Sequence, residues 1–281
     1  MIQPPQHLID DVIRRALAED LGDAGDITTA AIIAPGSVSR AVIAARKPGT
    51  IAGLNMAARV FDLLGGGVTA TPAVTDGDSV DGGAVLMHLA GATATILSGE
   101  RVALNLLGRM SGVATATARI VRAVAGTSAR ICCTRKTIPG LRALEKYAVR
   151  CGGGINHRFG LYDAVLIKDN HIAAAGGVAA AIKAAQAKVG HMVKIEVEVD
   201  TLDQLDAALA AGADVVLLDN MSPAQLKEAV GRAHGRAVTE ASGSVTADTA
   251  PAIAAAGVDL ISVGWITHSA PCLDVGLDFI A

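Results

Sequence analysis

Short clusters along the chain carry side chains suited to holding anions. ICCTRK ends in Arg135 and Lys136, and GGGINHR ends in His157 and Arg158. Guanidinium forks match carboxylates and phosphates, and a GGG turn lets backbone approach a ligand closely, so these four residues read as an anion clamp. Glu198 stands near the end of KIEVEV and Asp219 at the end of VVLLD. Acids so placed hold Mg²⁺ through a phosphorylated ligand or hydrogen-bond sugar hydroxyls; the plainer alternative is ion pairing with Lys168 and Lys136. Ser242, Gly243 and Ser244 follow VTEA, and Gly264 follows LISV. Small residues at such positions leave backbone N–H groups open to a phosphate.

Other charged residues have plainer readings. Arg142, Lys146 and Arg150 recur at i, i+4 and i+8 with Glu145 nearby, the pattern of a solvated helix face. Lys194 and Glu196 lie deeper in their strand and read as a structural interior pair. His171 follows Lys168 and could reach the same mouth, whereas His7, His88, His191 and His234 have no supporting context. No His and Cys set has zinc-ligand spacing, and neither GxxxxGK[ST] nor a strand followed by GxGxxG occurs. These absences disfavour an ATPase or a dehydrogenase.

The elements that must position these residues change character along the chain. Residues 7–19 carry an apolar stripe of Leu8, Ile9, Val12, Ile13 and Leu17, which predicts a helix. LGDAGDITT reads as a loop. SVSRAVIAARK, GVTATPAVTDGDSV and AVLMHLAG read as strands of a mostly antiparallel sheet, with LNMAARVFDLLG as a helix between them. From about residue 97 a long helix leads into alternating apolar strands and Ala-rich helices. The strands are ARICCT, DAVLIK, HMVKIEVEV, ADVVLLD, RAVTEA and VDLISVG, a repeat of βα units and hence a parallel sheet.

MVKIEVEV alternates strictly, Val193, Ile195, Val197 and Val199 against Lys194, Glu196 and Glu198. Both faces of a doubly wound sheet would be apolar, so the alternation favours an α/β barrel with fewer strands than the usual eight. Each strand delivers ionisable, small or glycine residues at its C-terminal end, the catalytic face of such a barrel. The expected architecture is α/β: an N-terminal α/β sandwich domain plus a C-terminal incomplete (β/α) barrel of about six to seven strands. The expected boundaries are 1–112, joined by a tail at 270–281, and 113–269.

The 281 residues are 51% hydrophobic, 18% charged and 2% aromatic, with a net charge of -3. Such a chain buries a full core but has neither the basic field nor the rings to bind nucleic acid. The positive charge is local, which suits a small anionic ligand. No apolar run approaches the ~20 residues needed to span a bilayer. The first residues form an amphipathic helix containing acids and not a secretion signal. Cys132, Cys133, Cys151 and Cys272 lack a disulfide framework, so reduced thiols in a cytoplasmic protein are expected.

GERVALNLLGRMSGVATAT, TRKTIPGLRALEKYAVRCGGGINHR, LIKDNH, EVEVDTLDQLDAAL, LLDN, EASG and ISVGWITHS resemble the quinolinate phosphoribosyltransferases, with EDLGDAGDITT near the start. The resemblance runs over nearly the whole chain in order. It implies transfer of phosphoribose from phosphoribosyl pyrophosphate to quinolinate with loss of CO₂, giving nicotinate mononucleotide in de novo NAD synthesis. It also implies Mg²⁺ carried with phosphoribosyl pyrophosphate, near Glu198 and Asp219, and a homodimer, or a higher assembly, with shared active sites.

By the same resemblance Arg135, His157, Arg158 and Lys168 match quinolinate-binding positions, with Arg101 supplied by the partner subunit, and Thr134 matches a substrate-binding position. Lys136, Glu198 and Asp219 match catalytic positions, and Ser242, Gly243 and Gly264 match the phosphate-binding backbone. Ser244 and Trp265 depart from the family's usual residues. LEKYAV and LIKDNH fit these enzymes better than the molybdenum-utilisation proteins of the same fold. A Schiff-base aldolase using Lys136 or Lys168, and a phosphometabolite-binding regulator, are the rivals of other classes.

Overall fold

The structure is a computed structural model describing residues 2–65 and 67–280. Met1, Gly66 and Ala281 lie outside the described residues, so the first residue of the expected N-terminal domain and the last of its tail are among those not described. Along the chain run α1 (Gln6–Leu21), α2 (Ile27–Ile32), β1 (Val38–Ala45), β2 (Gly49–Thr50), α3 (Leu54–Leu63), β3 (Val68–Pro72), β4 (Ser79–Val80), β5 (Val85–Ala92) and α4 (Thr93–Ala123). There follow β6 (Arg130–Cys132), α5 (Arg142–Cys151), β7 (Val165–Ile167), α6 (Asp169–Ala175), α7 (Val178–Gln186), β8 (Ile195–Val199) and α8 (Leu202–Ala210). The chain ends with β9 (Val215–Asp219), α9 (Pro223–Ala233), β10 (Val238–Ser242), α10 (Ala250–Ala255), β11 (Leu260–Ser262), α11 (Trp265–His268) and β12 (Val275–Ile280). Among the described residues, no helix is long and apolar enough to cross a membrane.

Two compact units result. One holds the residues up to Ala118, Thr137–Gly153 and those from Ile266 onward; the other holds Arg119–Lys136 and Gly154–Trp265. In the first unit the α1 stripe buries Ile9, Val12, Ile13 and Leu17 of the face that the spacing predicts, whereas Leu8 is exposed. An antiparallel sheet has the order β12-β1-β5-β3. Its edge strand β12 comes from the far end of the chain and pairs with β1 from Arg40↔Ile280 to Ala45↔Val275. Arg46 Nη2 and Asp278 Oδ1, 2.8 Å apart, tie the same two strands.

Two expectations fail in this unit. DITT is not loop but the start of α2, because Asp26 caps it: Asp26 Oδ1 accepts from Thr29 N at 2.9 Å. The cations of α5 do not share a solvated face either, for Lys146 and Glu145 are fully buried and only Arg150 is exposed. The cause is tertiary: Leu144 to Val149 are all buried, and Arg109 enters as the partner of Glu145. Arg109 Nη2 lies 2.6 Å from Glu145 Oε1, and the backbone N–H of Ile138 donates to Oε2 at 3.1 Å. Arg109 also donates to the carbonyls of Ala270 and Thr267. Burial raises the Glu145 pKa, and the Arg109 charge opposes that rise.

The second unit is built on six parallel strands in the order β6-β11-β10-β9-β8-β7. A further parallel bridge, Cys132↔Ile155, extends the β6 edge. The sheet curls into an incomplete barrel. His157 follows Ile155 at one edge, yet it touches Glu196 on β8, next to the other edge; Arg158 Nη1 likewise donates to Ala164 O, just before β7, at 3.0 Å. At the N-terminal ends of the strands, acids secure neighbours: Asp214 accepts from Ile195 N at 2.9 Å, and Asp259 accepts from Thr239 N at 2.8 Å. The helices are stopped and started by local chemistry, as in the Ser222–Gln225 capping box with Pro223 that opens α9.

Candidate active site

In β8, Ile195, Val197 and Val199 are buried, while Glu196 and Glu198 take the opposite side, towards the barrel interior. The strand begins at Ile195, so Lys194 lies before it. Lys194 is not the interior partner of Glu196: its ammonium is largely exposed and donates to Asp214 Oδ1 at 2.6 Å. Glu196 faces inward and meets His157 instead, with 2.9 Å between Oε2 and Nε2.

The remaining residues singled out in this unit gather at the C-terminal ends of successive strands. Thr134, Arg135 and Lys136 follow β6, and the Lys136 N–H is turned back onto Thr134 Oγ1 at 3.0 Å. Lys168 follows β7 and donates through Nζ to Glu198 Oε2 at 2.5 Å. His171 accepts the Lys168 N–H on Nδ1 at 2.9 Å, within the capping box that opens α6. Asp219 ends β9 and pairs in register with Ser242 at the end of β10. Gly264 follows β11. Arg101 is an exposed residue of α4 and belongs to the first unit.

Strained backbone marks the β9 and β10 ends. Asn220 is the one non-glycine residue with positive φ among the described residues, at 52°. Its N–H donates to Ser242 O at 3.0 Å, and its side chain donates to Asp219 Oδ2 at 2.7 Å. Gly243 has φ +114°, and a Cβ there would meet Asn220 Oδ1 at 2.3 Å. Asn220 thus fits against bare glycine backbone, with Asp219 aimed by its amide. Trp265 Nε1 donates to Val245 O at 2.9 Å, which ties the segment after β11 to the loop after β10. This bond gives Trp265 a structural role; Ser244 is exposed, and nothing in the structure explains it.

Cations approach one another beside these acids. Burial lowers the pKa of Arg158, and the neighbouring Arg135 charge lowers it further, with Glu196 acting in the opposite sense. Arg158 Nε is buried with no hydrogen-bond partner. Two guanidinium groups that repel each other, with the Arg158 Nε donor unanswered, have the chemistry that suits a carboxylate or phosphate. For a cation the choices differ. Glu198 and Asp219 stand on adjacent strands and, among the described residues, belong to no compact group with a third acid or histidine, which suits Mg²⁺ bound mainly by a ligand's oxygens and water. His157, Glu196 and Glu240 do form a compact group among the described residues, with donor atoms within 4.8 Å of one another.

Glu240 is the residue that sequence reasoning missed. Its visible signal was an acid inside the otherwise apolar and small-residue strand VTEAS, facing the same interior as Glu196. It is 2% exposed, and its carboxyl is pushed up to about 7 by burial and then by the Glu196 charge. His157 and hydrogen bonds from Ser262 and Cys132 work the other way. His157, Glu196, Glu240 and Cys132 line a cavity of about 170 Å³ that also touches Lys194, Val215 and Leu260 at the N-terminal ends of the strands.

The geometry agrees with what related proteins are. Residues 26–111 match the family model for the quinolinate phosphoribosyl transferase N-terminal domain, and residues 113–278 match that for its C-terminal domain. A nicotinate-nucleotide pyrophosphorylase (carboxylating) of Mycobacterium leprae is 48% identical over 273 residues, covering 95% of this chain and 96% of the relative. A probable enzyme of the same name from Bacillus subtilis is 47% identical over 260 residues, covering 92% of this chain and 89% of the relative. The solved structure of the nicotinate-nucleotide pyrophosphorylase from Francisella tularensis superposes with a TM-score of 0.95 at 39% identity, each chain covered in full. The chain belongs to the quinolinate phosphoribosyl transferase family.

Proposed function

We propose that the protein transfers phosphoribose from phosphoribosyl pyrophosphate to the ring nitrogen of quinolinate, with loss of CO₂. The products are nicotinate mononucleotide, pyrophosphate and CO₂, a step of de novo NAD synthesis. The observation that carries this reading is the order of chemistry along the strand ends. Arg135 and Lys136 follow β6 and Lys168 follows β7, carboxylates lie at the ends of β8 and β9, and small residues lie at or after the ends of β10 and β11. A pyridine dicarboxylate, a ribose and a phosphate need those three environments in that order.

Quinolinate is a dianion. Arg135, Arg158 and Lys168 would neutralise its carboxylates, with Thr134 and His157 completing the wall and the partner subunit's Arg101 closing it in a homodimer or larger assembly. As the bond to pyrophosphate lengthens, positive charge develops on the ribose ring. Glu198 and Asp219 lie where fixed negative charge would favour that state over the ground state. Lys136, exposed after β6, would meet the departing pyrophosphate. Ser242, Gly243 and Gly264 would present backbone to the 5′-phosphate. Mg²⁺ would arrive with phosphoribosyl pyrophosphate and neutralise its charge, with Glu198 and Asp219 orienting its water shell. Once the ring nitrogen is bonded to ribose it is cationic and can accept the electron pair left when the 2-carboxylate departs.

The four cysteines, three of them buried, fit a cytoplasmic protein. A panel assay with phosphoribosyl pyrophosphate and Mg²⁺ tests the substrate: turnover is expected with quinolinate and not with nicotinate. The reverse preference would overturn the reading.

A further inference from the structure

His157 is held by both ring nitrogens. Nδ1 accepts the backbone N–H of Arg158 at 2.7 Å, so the ring proton resides on Nε2. Nε2 points at Glu196 Oε2, 2.9 Å away, with Glu240 Oε1 at 3.7 Å. A doubly protonated ring would set an Nδ1–H against the Arg158 N–H. The tautomer therefore depends on the acid pair not drawing a second proton onto the ring. Glu240 is 2% exposed, and its burial favours the protonated carboxyl. Oε1 of each glutamate is buried without a hydrogen-bond partner, so Nε2–H is the donor that the geometry brings to this acid pair.

A divalent cation on the same three residues is the competing account. It would need the Nε2 lone pair, which moves the ring proton to Nδ1 and into the Arg158 N–H. The proton satisfies the contacts as they stand, and the cation breaks one of them.

We propose that Glu196 and Glu240 are positioning residues for this reaction: lying against Nε2, they fix His157 as its Nε2–H tautomer and, through Nδ1, hold the backbone of Arg158 in place for the substrate dianion. The proposal rests on the quinolinate reading of the site. The groups facing the pair are His157 and Arg158 from the Ile155 segment, Cys132 from β6 with Arg135 beyond it, and Ser262 from β11. As pH rises above about 7, ionisation of Glu240 puts negative charge beside Nε2 and disturbs the contacts that fix the ring.

Three measurements decide it. Long-range ¹H–¹⁵N NMR of the full-length protein should report the Nε2–H tautomer of His157 at pH 6.5, chosen as roughly the ordinary histidine pKa; an imidazolium or an Nδ1–H tautomer there overturns the proposal. That experiment uses no substrate, so it decides the positioning claim even if quinolinate proves to be the wrong base. Glu196→Ala should raise KM for quinolinate at least ~10-fold, the size of one lost charge-assisted contact, with KM for phosphoribosyl pyrophosphate within about twofold. Equal changes in both constants, or none, overturn it. In the wild type, KM for quinolinate should climb above pH ~7, and Glu240→Gln should flatten that climb. A stoichiometric divalent ion in the purified protein, lost in Glu196→Ala, would instead establish the metal account.

Discussion

Lys168 Nζ lies 2.5 Å from Glu198 Oε2, binding the end of β7 to the end of β8. The ammonium side chain is 49% exposed, so water screens the pair and its contribution to stability is at most about 1 kcal/mol. Its larger effect is to hold a carboxylate at the strand end where the ribose is proposed to react. Glu198→Ala should therefore lower turnover at least ~10-fold, the loss of roughly one 1.4 kcal/mol step of transition-state stabilisation, while the melting temperature changes little. Lys136→Ala should do the same. Near-normal rates from folded, purified variants would remove either residue from the catalytic set.

Arg158 should govern affinity more than rate. Its guanidinium is anchored to Ala164 O, and its unpartnered Nε is buried beside Arg135. Removing one charge-assisted donor costs about 1.5–3 kcal/mol. Arg158→Ala should accordingly raise KM for quinolinate by ~10–100-fold in initial-rate measurements, with a smaller effect on phosphoribosyl pyrophosphate. A variant that changed only the second constant would place Arg158 at the wrong ligand.

Gly243 has no room for a side chain. With φ at +114° and a Cβ only 2.3 Å from Asn220 Oδ1, Gly243→Ala must displace Asn220 or distort the loop. The strain of such a conformation is about 1–3 kcal/mol. Chemical denaturation should show a loss of that order, and KM for phosphoribosyl pyrophosphate should rise because the loop carries the proposed phosphate site. Wild-type stability and kinetics together would mean that this backbone is not constrained.

Glu240 should give the protein an unusual dependence of stability on pH. Its folded pKa is about 7, above the 4.5 of an ordinary glutamate, so the folded state retains a proton that the unfolded chain releases. The associated stability is fully present below about pH 4.5 and is lost as pH rises through about 7. Denaturation midpoints measured at intervals across that window should fall more steeply in wild type than in Glu240→Gln. Parallel curves would show that Glu240 titrates normally.

Much of the second unit was legible because its signals are local. Six apolar strands at βα spacing, each ending in a charged or small residue, predict a parallel sheet and its working edge, and β8 shows its interior side through Glu196 and Glu198 alone. Contacts between distant segments were not legible. The spacing of Arg142, Lys146 and Arg150 describes a helix surface correctly, but only packing of α5 decides that Lys146 is buried and that Glu145 meets Arg109. Glu240 lay hidden for the same reason. An acid in mid-strand takes its meaning from His157 and Glu196, far away in sequence, and periodicity cannot supply partners. The α2 helix was missed because six residues carry too little periodicity to outweigh the Gly- and Asp-rich stretch before them.

The central claim concerns a coupled transfer and decarboxylation at one site. Quinolinate labelled in the 2-carboxylate, incubated with the purified protein, phosphoribosyl pyrophosphate and Mg²⁺, tests it most directly. Equal amounts of nicotinate mononucleotide, pyrophosphate and labelled CO₂ are predicted. Retention of the label in the nucleotide product, or no nucleotide from quinolinate while another base turns over, would contradict it.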